Sequence, residues 1–568
     1  MTQFDTSQQA LIDSPDSIWV EACPGAGKTQ AIVERFITRL HSDSRRGVAL
    51  LSFTNAAVDE ARARCRERPE LLRAPNFVGT IDSFINRFIV RPAFTNEKGK
   101  SPIFVDTWET LAGTTFKSPK GLMRLGWFRF DFKTGARLDV KILPQDSQHA
   151  IGKLPDHQLR NAERWAERRW ARLLESGVLD AATSRSYMGQ CLENLELRGK
   201  LGCLLRARFS KVIVDEVQDC TDQDEQMLLF LLDVGIRLVV VGDSEQAIFG
   251  FRGAHQSGLA TLRGRLREGA RLNKNYRSSA TICRMVDSLR AGVEKDLASG
   301  PNKDVPEAVR LLRYRTWESI KDEIVAAVEN SGYTREQIIV LAHNGTDAYH
   351  AVGLKGSPKG AVSDNKIFKA ALACHGFRDP LASPRVRTLA LQRISAALQE
   401  MADDGRLRDM PETEFLEAIH THPREYRAKV LRVILDVSDP FLVTPQNFQQ
   451  SLKQAVGKHG LNWVKTFPAP KKWPYKLSGS SFGLNYSTIH SFKGLQSPVV
   501  ALIIPKPLHL ESGLDLWERE EAGESRRVLY VGVSRAERLL IVAAHDTVYD
   551  RVASVMNRDG VGFVSTGN

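Results

Sequence analysis

A short run near the N-terminus, Ala22-Cys-Pro-Gly25-Ala26-Gly27-Lys28-Thr29, has the residue types needed to hold a phosphate chain. Small residues let backbone N–H groups approach the oxygens, a lysine reaches the outer phosphates, and a threonine hydroxyl can ligate Mg²⁺. An apolar run at Ile18 to Val20 precedes it and the helix-like QAIVERFITRL follows, which is the strand-loop-helix setting such a loop requires. Ala22 stands where a first glycine is usual. A second piece is Val212-Ile-Val-Asp215-Glu216-Val-Gln218-Asp219, two acids at the end of an apolar run. Burying paired carboxylates without a cation is costly. Beside a phosphate loop, the first acid can hold Mg²⁺ and the second can orient or deprotonate an attacking water.

The elements that must position these residues are legible as short β-branched runs with helical stretches between them. Ile18 to Val20, Val48 to Leu51, Lys211 to Val214, Leu238 to Val241, Gln337 to Leu341, Pro498 to Ile504 and Leu539 to Ala543 read as buried parallel strands. The expected class is therefore α/β. Two long interruptions break the series. Residues 85 to 210 are too many for a loop and read as an inserted, mostly helical domain. A second insertion is expected from 346 to 482, bordered by GLKGSPKG and the Pro-rich PAPKKWPYKLSGSS. The predicted division is core one from residues 1–84 and 211–272, and core two from residues 273–345 and 483–568.

The bulk composition narrows the function classes. A chain of 568 residues exceeds what one hydrophobic core supports, so several domains are expected. With 42% hydrophobic and 26% charged residues it is neither disordered nor fibrous. The longest apolar stretch, Val499 to Ile504, is far short of a bilayer span, and no secretion leader is evident, so a cytoplasmic protein without a membrane partner is expected. The seven cysteines are scattered and never spaced as CxxC, which suggests neither disulfides nor zinc. A formal charge of +12 favours a polyanionic partner such as nucleic acid. In the first insertion, Arg164 to Leu174 reads as a helix burying Trp165 or Trp170 under a solvated arginine face rather than as a nucleic-acid contact. KKWPYK, Lys471 to Lys476, reads as linker.

Asp215 to Asp219, in the DExQD form, resembles motif II of superfamily 1 helicases of the UvrD/Rep type, and an ordered series of blocks agrees with it. Gln8 within FDTSQQALI resembles the Q motif; Leu51 to Arg64 resembles motif Ia, Gly79 to Phe84 motif Ib, and Val239 to Ala254 motif III. Leu272 to Ser279 resembles motif IV, Ser487 to Val500 motif V, and Ser525 to Ala536 motif VI. The resemblance implies two RecA-like P-loop motor cores with mainly helical inserted accessory domains. It further implies ATP-dependent movement or unwinding, 3′ to 5′, on single-stranded DNA and duplex junctions.

Residue by residue, the resemblance assigns Gln8 to adenine, Gly25, Ala26, Gly27, Lys28 and Thr29 to the phosphates of ATP, and Thr29 and Asp215 to Mg²⁺. Glu216 becomes the general base, and Gln246 the link between the γ-phosphate, the attacking water and the DNA-contacting segments. Tyr276 stacks on adenine, while Arg277 and Arg535 approach the γ-phosphate from the second core, Arg535 as an arginine finger. Phe53, Thr54, Asn55, Phe251, Arg252 and His490 fall at positions that contact a single strand, where aromatic faces stack on any base. Two nucleotide-contacting positions carry changed residues: Gln496 where the family places a ribose-binding glutamate, and Gln30 where an arginine often follows the loop. Asp82 stands where motif Ib often has histidine. A different reading of the same blocks is a DNA-gated ATPase serving as sensor or regulatory subunit beside an OLD-type nuclease in anti-phage defence.

Overall fold

The apolar runs become parallel strands because each is covered on both faces, which removes the alternation a half-exposed strand would need. Phe209–Val214, Gly47–Ser52 and Ile338–Ala342 are buried along their whole length. The computed structural model describes all residues except 1–3, 39–44, 67, 133, 141–142, 144–150, 152–153, 249–258, 291–294, 307, 355–364, 380–381, 383, 441, 466, 472, 474–483, 507–511 and 567–568. The chain divides into two compact units, one made of residues 1–89, 189–358 and 482–568 and the other of residues 90–188 and 359–481.

The first unit holds two six-stranded sheets. In the first, the order is Arg267–Glu268, Ile18–Glu21, Arg237–Gly242, Phe209–Val214, Gly47–Ser52, Phe77–Thr80. In the second, it is Asn485–Thr488, Ile338–Ala342, Ser497–Ile504, Ala536–His545, Val309–Tyr314, Val564–Thr566. Every neighbouring pair in both sheets is parallel. Parallel strands end on the same side, so the residues that follow them gather along one edge. Helix Lys28–Thr38 closes one face of the first sheet with Ile32, Val33 and Phe36 packed against Ile18, Val20, Leu50 and Val239. Helix Glu524–Val533 does the same for the second, through Val528 and Val531 against Val500, Leu502 and Leu540.

The second unit is built mainly of helices, and its N-terminal part adds short ladders to them. Ile103–Val105 pairs with Val178–Asp180, Thr115–Ser118 with Gly121–Arg124, and Phe128–Asp131 with Gly135–Leu138. Turn chemistry explains the hairpins: the Asp131 carboxylate accepts from the Thr134 N–H at 2.8 Å, and Gly135 takes φ +77°. Strands of three or four residues are too short for their periodicity to stand out. Helix Asp156–Glu175 behaves as expected, with Trp170 buried, its indole N–H on the Thr183 hydroxyl at 3.2 Å, and Arg164 and Arg168 exposed. Trp165 packs on Phe116 at 5.4 Å. Trp473, expected in a linker, instead rests on Phe368 and Phe448 and donates to the Val443 carbonyl at 3.0 Å. Helices Lys366–Arg378, Pro384–Glu400, Pro423–Asp436 and Pro445–Lys458 complete this unit around Ile394, Phe415, Tyr426 and Phe448.

Candidate nucleotide site

The loop after strand Ile18–Glu21 is shaped by two glycines. Gly25 and Gly27 both take φ +70°, a conformation that L side chains rarely adopt. A Cβ on Gly25 would lie 2.6 Å from the Asn275 amide oxygen, and one on Gly27 would lie 2.8 Å from the Gln8 amide nitrogen. The loop therefore runs with bare backbone, as an approach to phosphate oxygens requires. Gln8 sits in helix Thr6–Asp13, where its amide oxygen accepts from the Asp5 N–H at 3.0 Å and its amide nitrogen donates to the Ala26 carbonyl at 2.9 Å. The Tyr276 hydroxyl donates to the Asp5 carboxylate at 2.6 Å, and the Tyr276 N–H donates to the Gly25 carbonyl at 2.9 Å.

Lys28 opens helix Lys28–Thr38 and is only 8% exposed. Its Nζ lies 4.0 Å from the Glu216 carboxylate, and the Thr29 hydroxyl donates to the Asp215 carboxylate at 3.1 Å. Both acids follow strand Phe209–Val214 directly. Glu216 takes φ +55°, one of three non-glycine residues with positive φ among the described residues, which costs on the order of 1–3 kcal/mol and is tolerated where the surroundings fix it. The two carboxyls are driven apart. Burial, then the neighbouring Glu216 charge, pushes Asp215 well above the ordinary carboxylate value. Burial opposes ionisation of Glu216 too, but Lys28, Lys493 and Arg535 outweigh it and hold Glu216 ionised well below its usual value. Burial likewise disfavours the Lys28 charge, and Glu216, Asp243 and Asp215 reverse that and raise it.

The second sheet supplies cations to the same place. Arg535, between helix Glu524–Val533 and strand Ala536–His545, is 2% exposed and donates to the Gln246 amide oxygen at 3.0 Å. Gln246, just after strand Arg237–Gly242, donates in turn to Asp243 at 2.8 Å, and the Tyr530 hydroxyl donates to the same Asp243 oxygen at 2.9 Å. Burial first, then repulsion from Arg277, pushes the Arg535 guanidinium below the usual arginine value. Arg277 donates from Nε to the Gln496 amide oxygen at 2.8 Å and from Nη1 to the Ser534 carbonyl at 2.9 Å. Gln496 is thus a neutral acceptor for Arg277.

The structure brings together Gln8, Gly25, Ala26, Gly27, Lys28, Thr29, Asp215, Glu216, Gln246, Tyr276, Arg277, Gln496 and Arg535 through these contacts. Gln30, on the first turn of helix Lys28–Thr38, is half-buried. Among the strand-contacting candidates, Phe53 and Thr54 are half-buried and Asn55 is exposed, immediately after strand Gly47–Ser52, with Thr54 capping helix Asn55–Arg64. His490 is half-buried in helix Ile489–Phe492, its ring 5.5 Å from that of His343. Phe251 and Arg252 lie outside the described residues. Sequence reading passed over Lys493, whose ammonium joins the Asp219 carboxylate and donates to the Gln246 carbonyl at 2.6 Å. Its signal was present as a lysine inside the SFKG block, and Asp219 closes the DEVQD block.

The profile of the UvrD/REP helicase N-terminal domain matches residues 4–266. The chain is similar to helicases of the UvrD/Rep type, and residues 4–266 resemble their N-terminal domain. The family match ends where strand Arg267–Glu268 completes the first sheet. Similarity to whole family members reaches the second sheet. DNA helicase II of Escherichia coli is 23% identical over 96% of this chain and 84% of its own length. The ATP-dependent DNA helicase srs2 of Schizosaccharomyces pombe is 22% identical over 99% of this chain and 74% of its own. The ATP-dependent DNA helicase UvrD2 of Mycobacterium tuberculosis is 23% identical over 94% and 77% respectively.

Proposed function

We propose that this chain hydrolyses ATP between its two sheets and uses the resulting closure to move 3′ to 5′ along single-stranded DNA, opening duplex at junctions. The observation that carries the reading is the Arg535–Gln246 hydrogen bond, which puts a guanidinium of the second sheet beside the acids of the first. A site assembled from two bodies makes hydrolysis depend on their approach.

In this reading the phosphates lie on the backbone of Gly25 to Gly27 with Lys28 on the outer oxygens. Thr29 and Asp215 fit a magnesium ion: they are adjacent hard oxygen donors, as suits an ion held largely by phosphates and water. That ion, when bound, supplies charge neutralisation at the phosphate oxygens. Glu216, kept ionised by the surrounding cations, accepts the proton of the attacking water. Arg535 and Arg277 meet the charge that develops on the transferred phosphoryl group. The cluster of cations also explains why a polyanion should enter: Arg535 is destabilised by burial and by Arg277 until phosphate arrives. Phe53, Thr54, Asn55, Phe251, Arg252 and His490 are proposed as strand contacts.

The test is ATP turnover with no nucleic acid, single-stranded DNA, duplex DNA and RNA, alongside strand displacement on 3′- and 5′-tailed duplexes. Single-stranded DNA should stimulate turnover most, and the 3′-tailed duplex should be the one unwound. Turnover indifferent to DNA would overturn the proposal, and DNA-stimulated turnover without displacement would assign a DNA-gated ATPase instead.

A further inference from the structure

At the opposite end of the first sheet lies a cationic cluster that the nucleotide site does not use. Asp215 and the phosphate loop follow the C-terminal ends of their strands, whereas Phe209 and Phe77 begin theirs. Helix Ile81–Ile85 widens into a π turn at Asn86–Val90, a feature that occurs often at functional places. The turn sets Phe88 edge-on against Phe77 and Phe209, at 5.1 Å from each, with Phe84 at 5.2 Å. Phe88 is thereby fixed by three rings. Two guanidiniums rest on it, Arg87 at 5.4 Å and Arg208 at 5.0 Å from its centroid.

These two arginines differ from the other ring-stacked arginines of the same unit. Arg198 stacks on Phe230 and pairs with Asp233; Arg263 stacks on Trp19 and pairs with Glu21 and Glu268. Arg290 stacks on Tyr530 and pairs with Asp296, and Arg313 stacks on Tyr549 and pairs with Asp546 and Asp550. Arg87 and Arg208 have no acid partner and no protein hydrogen bond among the described residues, and the Arg208 Nε is buried without an acceptor. Burial lowers the Arg208 guanidinium, and Arg87 lowers it further by like-charge repulsion. Gly47 pairs with Phe209, so Arg45 lies just before the adjacent strand start.

We propose that Arg87 and Arg208, mounted on Phe88, form a second phosphate site that takes a backbone phosphodiester of DNA at the N-terminal edge of the first sheet. Two planar forks on a rigid platform suit a tetrahedral oxyanion, which offers several acceptors and cancels the repulsion between them. Exposure of Arg87 favours a polymer passing over the edge. The proposal rests on the reading that the chain acts on DNA.

The experiment measures equilibrium binding of the full chain and of Arg87→Ala/Arg208→Ala to a short single strand and to a tailed duplex across a salt series. The double variant should bind roughly tenfold more weakly. Its slope of log affinity against log salt should fall by about 0.7 to 0.9, one phosphate's worth. Arg87→Lys/Arg208→Lys should recover part of the affinity. A loss confined to the tailed duplex assigns the phosphate to the duplex arm, and an equal loss on both DNAs assigns it to the single strand. Unchanged affinity and slope on both DNAs, at an unchanged melting temperature, would overturn the site. Should the variant unfold, phenylglyoxal modification of wild type decides: DNA should protect Arg87 and Arg208, and equal modification with and without DNA overturns the proposal. Wild type that binds DNA beside unaffected variants sinks only this site, whereas wild type that binds no DNA sinks the functional reading with it.

Discussion

The two parallel sheets of the first unit have the same number of strands and opposite chemistry at the cleft. The first sheet ends in a phosphate loop with Lys28 and four buried or half-buried acids, Asp215, Glu216, Asp219 and Asp243. Facing it are Lys493, Arg535 and the Tyr530 hydroxyl, from the segments around the second sheet, and Arg277, which follows the separate short strand Lys274–Asn275. In the proposed reading, one sheet binds and activates the nucleotide and the other completes its site. The difference teaches that two sheets of the same fold can present opposite charge; if the strand-end residues carry the proposed reaction, dividing them between two sheets would make hydrolysis depend on their approach.

The comparison breaks first at the first sheet's own residues. Lys28→Ala and Glu216→Gln should each nearly abolish ATP hydrolysis, because one removes charge from the phosphates and the other removes the base, an effect of about 10²- to 10⁴-fold for the base alone. Glu216→Gln should still bind ATP. Wild-type turnover in either variant, measured as phosphate release, would show that chemistry does not reside at this sheet.

The completing role of the second sheet is tested by Arg535→Ala, which should slow DNA-stimulated hydrolysis by about 10³-fold, roughly 4 kcal/mol of barrier, while ATP affinity changes far less. DNA binding without nucleotide should persist. Hydrolysis within tenfold of wild type would mean that the first sheet acts alone.

The smallest effect is expected at the contact between the sheets. Tyr530→Phe removes a hydroxyl that donates to Asp243 and accepts from Arg290 at 2.6 Å, but Asp243 keeps Gln246 and Arg290 keeps Asp296. A loss of about 1–3 kcal/mol follows for a hydrogen bond to charged groups, read as a melting temperature lower by a few degrees. An unchanged melting temperature would mean that the hydroxyl contributes nothing to holding the sheets together.

Much of this was readable from residues alone, and the failures have physical causes. The central strands announced themselves as VALLS, KVIV, RLVVV, SPVVALII and RLLIVAA because they are buried on both faces. Phe77–Thr80, Asn485–Thr488 and Val564–Thr566 were missed because edge strands are short, and the latter two are half-exposed as well, with polar residues toward solvent. Val309–Tyr314 was hidden by Arg310 and Arg313. At the site, residues within a motif were legible because local spacing encodes them. Lys493 with Asp219, Arg277 with Gln496, and Tyr530 with Asp243 were not, since each pair joins residues more than 200 positions apart and only tertiary packing chooses the partner. Gln496 is instructive: the motif points to ribose, while its amide oxygen is spent on Arg277.

The strand order of the first sheet also governs how the chain can come off a ribosome. Among the described residues Ile18–Glu21 pairs only with Arg237–Gly242 and Arg267–Glu268, and Phe209–Val214 is what joins that half to Gly47–Ser52 and Phe77–Thr80. At about 5–20 residues per second, the opening strand therefore waits on the order of ten to forty seconds for a neighbour. Throughout that interval the nascent polypeptide displays apolar strand edges, and its glycine loop has no sheet to lean on. Nucleotide cannot stabilise the growing chain early, and the burden of keeping it from aggregating falls on chaperones until residue 242 has cleared the exit tunnel.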